Sequence, residues 1–410
     1  MGTSTAYPGH NRATTARRFA HTLLRLIAGC SLLAACNIAL AAKAPYTYSV
    51  LGNAAAPASV SAPVQPSFVL MGGGPDVDEA FRWMIQRAGI TPGHGGRFVV
   101  IRATGTDAYN PYIYYSDAAS GTSSSFADGW VGGAALGLTS VETLVIPSVA
   151  AANDAFVNNV VGKAHAVWIA GGDQSDYIKY WKGTALDTTL RGLMARNVPL
   201  GGTSAGLAVL GWADFAALNG SVTTKQALDN PYNRYMTLDP SPLGGAGFIM
   251  PPALNNTILD SHLDSRDRLG RLLGFVARMI KPNIAGGGCS GGVLASGTGS
   301  NGARGIGVDV ETALLVQGNA SAPSLSARRV TNVSTTTESA VYFVRPRADP
   351  SVCAVKIPLT MPNIEVQKLG DSDTVFDLSS WFTTDWSQLT PHYIDVTNGA
   401  LPALPWAYPL

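Results

Sequence analysis

The strongest chemical signal in the chain is Gly202-Thr203-Ser204-Ala205-Gly206. The run Val198-Pro199-Leu200 leads into it through Gly201, and the apolar helix start Leu207-Ala208-Val209-Leu210 follows. A serine at a strand-to-helix turn sits on a tight bend with its hydroxyl exposed. Small neighbours are needed there because the backbone is crowded. The helix that follows aims its first amide hydrogens at the site, which favours a developing oxyanion. Ser204 is therefore the candidate nucleophile, and the Ala205 amide a candidate oxyanion donor. A second signal is Gly171-Gly172-Asp173-Gln174, at the end of the apolar run Ala166-Val167-Trp168-Ile169-Ala170. A glycine pair at a strand end lets backbone amides approach a ligand, so Gly172 and Asp173 join the oxyanion candidates. Gln174 donates and accepts without charge, which suits a peptide or carboxylate group.

A serine nucleophile needs a base. Outside the amino-terminal segment the histidines are His94, His165, His262 and His392. His165 precedes a buried-type strand and reads as structural. His94 lies in a Pro/Gly loop and reads as solvated. His262 lies in Asp260-Ser261-His262-Leu263-Asp264-Ser265-Arg266-Asp267-Arg268-Leu269-Gly270-Arg271, just ahead of a helix with one apolar face through Leu269, Leu272, Leu273, Val276 and Ile280. At about 100° per residue, Arg268 and Arg271 fall roughly 60° apart beside that face, and Arg266 on its other flank. Two arginines beside a histidine could clamp a substrate carboxylate. No histidine or cysteine shows metal-ligand spacing, so neither a metal nor a cofactor is expected.

The elements that must position these groups follow from the pattern. Phe68-Val69-Leu70-Met71, Phe98-Val99-Val100-Ile101, Thr143-Leu144-Val145-Ile146, Ala166–Ala170 and Val198–Leu200 are short buried-type strands separated by helical stretches. Such alternation predicts an α/β fold, a mainly parallel sheet covered on both faces, with functional groups at the carboxyl ends of strands. The first of these strands ends in Gly72-Gly73-Gly74, so three strand ends are glycine runs. After about residue 320 the texture turns to short alternating apolar and Ser/Thr-rich runs. The expected organisation is a signal segment over 1–42, a linker over 43–66, a catalytic domain over 67–320 and a small β-rich extension over 321–410.

Hydrophobic residues are 46% of the chain and charged residues 13%, which excludes charge-driven disorder and a coiled coil. A formal net charge of +1 gives no electrostatic case for nucleic acid. Residues 1–42 carry Arg12, Arg17, Arg18 and Arg25 and no acid, and an apolar run from Leu23 to Ala35 precedes small residues. This reads as an export signal. Two processing sites compete: Leu33-Ala34-Ala35-Cys36, which would lipidate Cys36, and Ala39-Leu40-Ala41. Either one makes the mature protein secreted, periplasmic or membrane-anchored. Cys289 and Cys353 then remain, either as a pair or as two separately buried thiols. Assembly stays open, a homodimer included.

Taken in order, Gly171–Gln174, Gly202–Gly206, Asp260–Arg271 and Gly305-Ile306-Gly307-Val308-Asp309 before Thr312-Ala313 resemble the cyanophycinases. These serine peptidases share their family with aspartyl dipeptidase (peptidase E). The resemblance covers roughly residues 67–318. It implies a three-layer fold like the class I glutamine amidotransferases, and hydrolysis of cyanophycin to β-aspartyl-arginine dipeptides. It makes Ser204 the nucleophile, His262 its base, and Gln174, Asp260, Arg266, Arg268 and Arg271 the substrate pocket. The family has a glutamate directly after the aspartate matching Asp309; here Val310 stands there and Glu311 follows. Glu311 is taken as the third catalytic acid, with Asp309, Asp214 and Asp260 as alternatives. Two other readings compete. One is an esterase pairing Ser204 with His392 and an acid among Asp371, Asp373 and Asp377. The other is a silent exported binding protein that lost the third acid.

Overall fold

Strands covered by helices on both faces have no solvent side, so their sequences run apolar without alternation. The computed structural model describes residues 1–2, 43–115, 132–240, 245–299, 301–319, 324–332, 334–335, 339–383 and 389–406. The arginines of the amino-terminal segment, Cys36 and the Ala39–Ala41 site lie outside the described residues. The chain divides into two units, Met1–Ala44 and Pro45–Leu410. Every element described belongs to the second.

In chain order these are β1 (Thr47–Gly52), β2 (Ser67–Met71), α1 (Asp78–Arg87), β3 (Arg97–Arg102), α2 (Tyr109–Tyr115), β4 (Ser140–Val145), α3 (Val149–Ala152), α4 (Ala155–Gly162), β5 (Ala166–Ile169), α5 (Gln174–Trp181), α6 (Ala185–Ala195), β6 (Leu200–Thr203) and α7 (Ala205–Ala208). Next come β7 (Asp214–Phe215), α8 (Thr224–Asp229), β8 (Leu238–Asp239), β9 (Thr257–Ser261), α9 (Leu269–Arg278), β10 (Arg304–Val308) and β11 (Thr312–Gly318). The last are β12 (Leu325–Thr331), β13 (Val341–Pro346), β14 (Val352–Ala354), β15 (Ile357–Leu369), β16 (Val375–Asp377) and β17 (His392–Val396).

The main sheet has the order β1-β4-β3-β5-β6-β2-β11-β12-β16. Its centre, from β4 to β2, is parallel throughout. The flanking pairs are antiparallel. Alternate residues of the central strands go to opposite faces. Val69, Met71, Val100 and Trp168 pack with Phe81, Met84 and Ile85 of α1. Leu70, Ile101, Val167 and Ile169 pack with Tyr177, Trp181 and Leu190 of α5 and α6, and with Ile306 and Phe343 of a second sheet. The fold is the α/β class that the strand–helix alternation predicts.

The second sheet runs β14-β15-β13-β10-β9, with β17 on β15. Its far face is closed by α9 and α8, through Leu272, Leu273, Val276 and Leu228. Two features differ from the sequence-based organisation. β1 lies within the stretch expected as linker and pairs with β4 over its whole length. Its tie is Glu142, which is buried and bonded by Arg97 and Tyr48. Strands after residue 320 also interleave with earlier ones: β12 pairs β11, and β13 pairs β10.

β6 lies between β5 and β2 with all three running parallel, so Ile169, Thr203 and Met71 end at one edge. The three glycine-marked strand ends therefore converge. Among the described residues no helix is long and apolar enough to cross a membrane.

Cys289 and Cys353 are disulfide-bonded, with Cα atoms 5.2 Å apart, tying the loop after α9 to β14. A crosslink across a separation of 64 residues restricts the unfolded chain. Replacing both by serine is expected to lower stability by about 2–4 kcal/mol, read as an earlier urea midpoint. An unchanged midpoint contradicts this.

Candidate active site

Ser204 follows β6 and opens α7 in a conformation few residues adopt, φ 55° and ψ −115°. Two contacts hold it there. Its N–H donates to the Met71 carbonyl at 3.0 Å, and its carbonyl accepts from Ala208 N–H at 3.0 Å. Gly206 permits the bend, since a Cβ there would lie 2.0 Å from the Ile169 carbonyl oxygen.

His262 follows β9, also at positive φ, 51°. Its N–H donates to the Gly72 carbonyl at 2.9 Å. The end of β2 thus anchors both residues on consecutive carbonyls. Their side chains meet: Ser204 Oγ lies 2.8 Å from His262 Nε2. Gly73, at φ 104°, lies against the imidazole; a Cβ there would stand 2.4 Å from Cε1 and 2.5 Å from Nε2. This role of Gly73 is absent from the sequence reading, although the triple glycine at a strand end marks the place.

Burial lowers the His262 pKa to about 4, helped by Arg266 and Arg268 and to a lesser degree Arg271, against the opposing charge of Asp260. The ring is therefore neutral at pH 7, and its Nε2 can accept the serine proton.

The third acid differs from expectation. Among the described residues, Ser204 is the hydrogen-bond partner of the His262 ring. Glu311 reaches the same place only through its backbone, its N–H donating to the Gly73 carbonyl at 2.8 Å. Its carboxylate makes no bond to the imidazole, because residues 309–311 form the turn between β10 and β11 and Glu311 sits at φ 55°. Both oxygens of Asp309 accept backbone amides, from Asp264 and Ala340. Asp214 is buried on β7 opposite Asp239, where burial and that neighbour push its carboxyl well up.

The arginines need a second correction. Arg271 is 1% exposed and grips Asp260 bidentately, Nε to Oδ2 at 2.7 Å and Nη2 to Oδ1 at 2.6 Å. Its Nη1 donates to Ser221 Oγ and the Val222 carbonyl, and its plane lies by Phe215 and Phe275. Neither Arg271 nor Asp260 is therefore open to a substrate carboxylate. Arg271 points inward because a guanidinium with five donors is satisfied in the core only by such a set. The pair instead fixes α9 to β9, two residues before His262. Arg268 is half-buried and donates to the Ser261 carbonyl at 2.8 Å, and Arg266 is exposed.

Gly171 abuts the nucleophile: a Cβ on it would lie 3.5 Å from Ser204 Cβ. Gly172 and Asp173 continue that edge, Asp173 using its carboxylate to cap α5 through Ser175 N–H. Gln174 opens α5 and donates to the Phe215 carbonyl at 3.4 Å. Ala205 holds the first position of α7, where an amide has no intrahelical acceptor. The other histidines stand elsewhere. His165 Nδ1 accepts the Arg97 amide, His94 meets Ser59, and His392 lies against Trp406 at 5.1 Å between ring centres. Asp371 and Asp377 serve local turns. The esterase arrangement is therefore not assembled. Among the described residues no group of three or more His, Cys, Asp or Glu could hold a metal.

Two outcomes are expected. Gly73→Ala should reduce kcat by about tenfold or more, since a displaced base loses alignment; a wild-type kcat contradicts the packing argument. The kcat/KM profile should hold its plateau well below pH 6.5 and bend near 4, falling as protonation removes the base. Arg266→Gln should move the bend upward, and a variant that bends at the wild-type pH refutes the cationic influence.

Residues 132–226 match the model of peptidase family S51. The matched stretch contains Gly171–Gln174 and Ser204, and His262 lies beyond it. No curated protein matches the chain. Among solved structures, a peptidase from an acI-B1 Actinobacterium is 15% identical, over 68% of this chain and 91% of that one, with a TM-score of 0.37. A protein assigned to peptidase E from Listeria monocytogenes EGD-e is 14% identical, over 65% of this chain and all of its own, with a TM-score of 0.35.

Proposed function

From a chain that carries a family S51 peptidase segment around its candidate nucleophile, we propose an exported serine peptidase that acts through Ser204 and His262 on β-aspartyl peptides, cyanophycin in particular. The observation that carries this reading is the 2.8 Å contact between Ser204 Oγ and a neutral His262 Nε2, at a strained strand-to-helix turn. The polymer as substrate rests on the ordered motifs, and export rests on residues 1–42.

In the reaction, Ser204 Oγ attacks the carbonyl carbon of the scissile amide while its proton passes to His262 Nε2. The tetrahedral oxygen faces the amides of Gly172, Asp173 and Ala205. The imidazolium gives its proton to the leaving amine as the C–N bond breaks. Water then attacks the acyl-serine, its proton goes to His262, and Ser204 recovers a hydrogen as the C–Oγ bond breaks. We assign the substrate carboxylate to Arg266 and Arg268 and keep Gln174 as a further pocket residue; Arg271 is engaged with Asp260.

Release of β-aspartyl-arginine from insoluble cyanophycin is the assay. Ser204→Ala and His262→Ala should each lose about three orders of magnitude or more, whereas His392→Ala should be nearly silent. A Ser204→Ala protein that keeps over about a tenth of wild-type rate sinks the nucleophile assignment. A folded, inactive wild type supports the silent binding protein instead.

A further inference from the structure

Serine hydrolases need the histidine held in one orientation, and here no carboxylate performs that on the ring among the described residues. The turn that carries His262 is held by other means. Asp309 Oδ1 accepts the Asp264 N–H at 3.1 Å, and Asp264 Oδ1 accepts the Val310 N–H at 3.0 Å. The two aspartates thus bridge the turn after β9 and the turn after β10 reciprocally. Asp309 is also pinned to the start of β13: its Oδ2 accepts the Ala340 N–H at 2.9 Å and its own N–H donates to the Ala340 carbonyl at 3.1 Å. Both bridged turns then reach the end of β2, His262 through Gly72 and Glu311 through Gly73. Asp309 is 1% exposed, so this is an interior fastening.

We propose that Asp309 is a positioning residue for His262: with Asp264 it locks the histidine turn to the β10–β11 turn, and so supplies through the backbone the orientation that a carboxylate on the imidazole would give. The inference rests on the Ser204–His262 reading. A lock between two carboxylates is sensitive to charge. Asp264 faces Asp309 from the histidine turn, Lys368 from β15 and Arg329 from β12. Burial and then Asp264 push the Asp309 carboxyl up to about 8, against its amide bonds and Lys368. Raising the pH through that range places a buried negative charge on Asp309 next to Asp264 and loosens the turn. The proposal therefore includes an alkaline fall in kcat.

The test compares full-length wild type, Asp309→Asn and Asp264→Ala by three measurements. These are the labelling rate of Ser204 by a fluorophosphonate, which needs no knowledge of the substrate, kcat and KM on a β-aspartyl peptide, and the pH profile. Both variants should label about tenfold to a hundredfold more slowly and lose kcat in proportion, with KM changed little. Asp309→Asn should also lack the alkaline fall near pH 8. Folded variants that label and turn over at wild-type rates overturn the proposal. Should Asp309→Asn not fold, Asp264→Ala decides alone, because it removes a single acceptor from a half-buried side chain. A wild type that labels at Ser204 but cleaves no β-aspartyl peptide ends the substrate reading and leaves the labelling comparison to judge the lock. A wild type that does not label overturns both.

Discussion

Three consecutive carbonyls at the end of one strand organise the site. Met71 accepts the amide of Ser204, Gly72 that of His262 and Gly73 that of Glu311, at 3.0, 2.9 and 2.8 Å. The donors come from three separate crossovers of the chain. One backbone hydrogen bond contributes only about 0.5–1.5 kcal/mol net, so the set matters for geometry more than for stability. Peptide planes are rigid, and the buried strand together with the glycine turn that follows it, where Gly73 takes φ 104°, sets the spacing of the three carbonyls. Whatever donates to them inherits that spacing. Anchored on neighbouring carbonyls, Ser204 and His262 bring Oγ and Nε2 to 2.8 Å.

Such a template must not move, and its surroundings show why it does not. β2 lies inside the main sheet, flanked by β6 and β11, and all five of its residues are buried. Against that rigidity the chain can hold Ser204, His262 and Glu311 at positive φ. Left-handed conformations of this kind cost on the order of 1–3 kcal/mol each and persist only where the environment over-determines them. Here each strained residue donates its amide to the same fixed strand end. The Asp260–Arg271 pair stiffens the approach to His262 from the other side, joining the end of β9 to the first turn of the following helix.

Much of this was legible in the sequence, because it is local. Ser204 showed through small residues between an apolar run and a helix start, and His262 through its place ahead of an amphipathic helix. The central strands showed as uninterrupted apolar runs. What escaped depends on contacts between distant segments. Periodicity placed Arg271 beside the apolar face but could not show that the face turns Arg271 onto Asp260, eleven residues earlier. Glu311 had the right chemistry, yet the turn after β10 delivers its amide to the site and not its carboxylate. β1 hid in an Ala/Pro-rich stretch, since what recruits it is the edge of β4 and the buried Glu142. Residues beyond 320 read as an extension because pairing of β12 with β11 and of β13 with β10 leaves no trace in local composition.

With a pKa near 4, His262 is almost wholly neutral at pH 7, which keeps it ready to accept a proton but makes it a weak acceptor. Burial is the largest cause of that depression, and Arg266 and Arg268 deepen it. An anionic substrate group placed on those arginines would offset their field at the ring and strengthen the base at the moment of attack. A neutral substrate would not. The same cations that depress the empty site would thus discriminate in the occupied one, through the reactivity of His262 as well as through binding. Preference for a carboxylate next to the scissile bond would then fall on kcat as much as on KM. Under this reading a dyad without a third carboxylate works with the one class of substrate that brings its own negative charge.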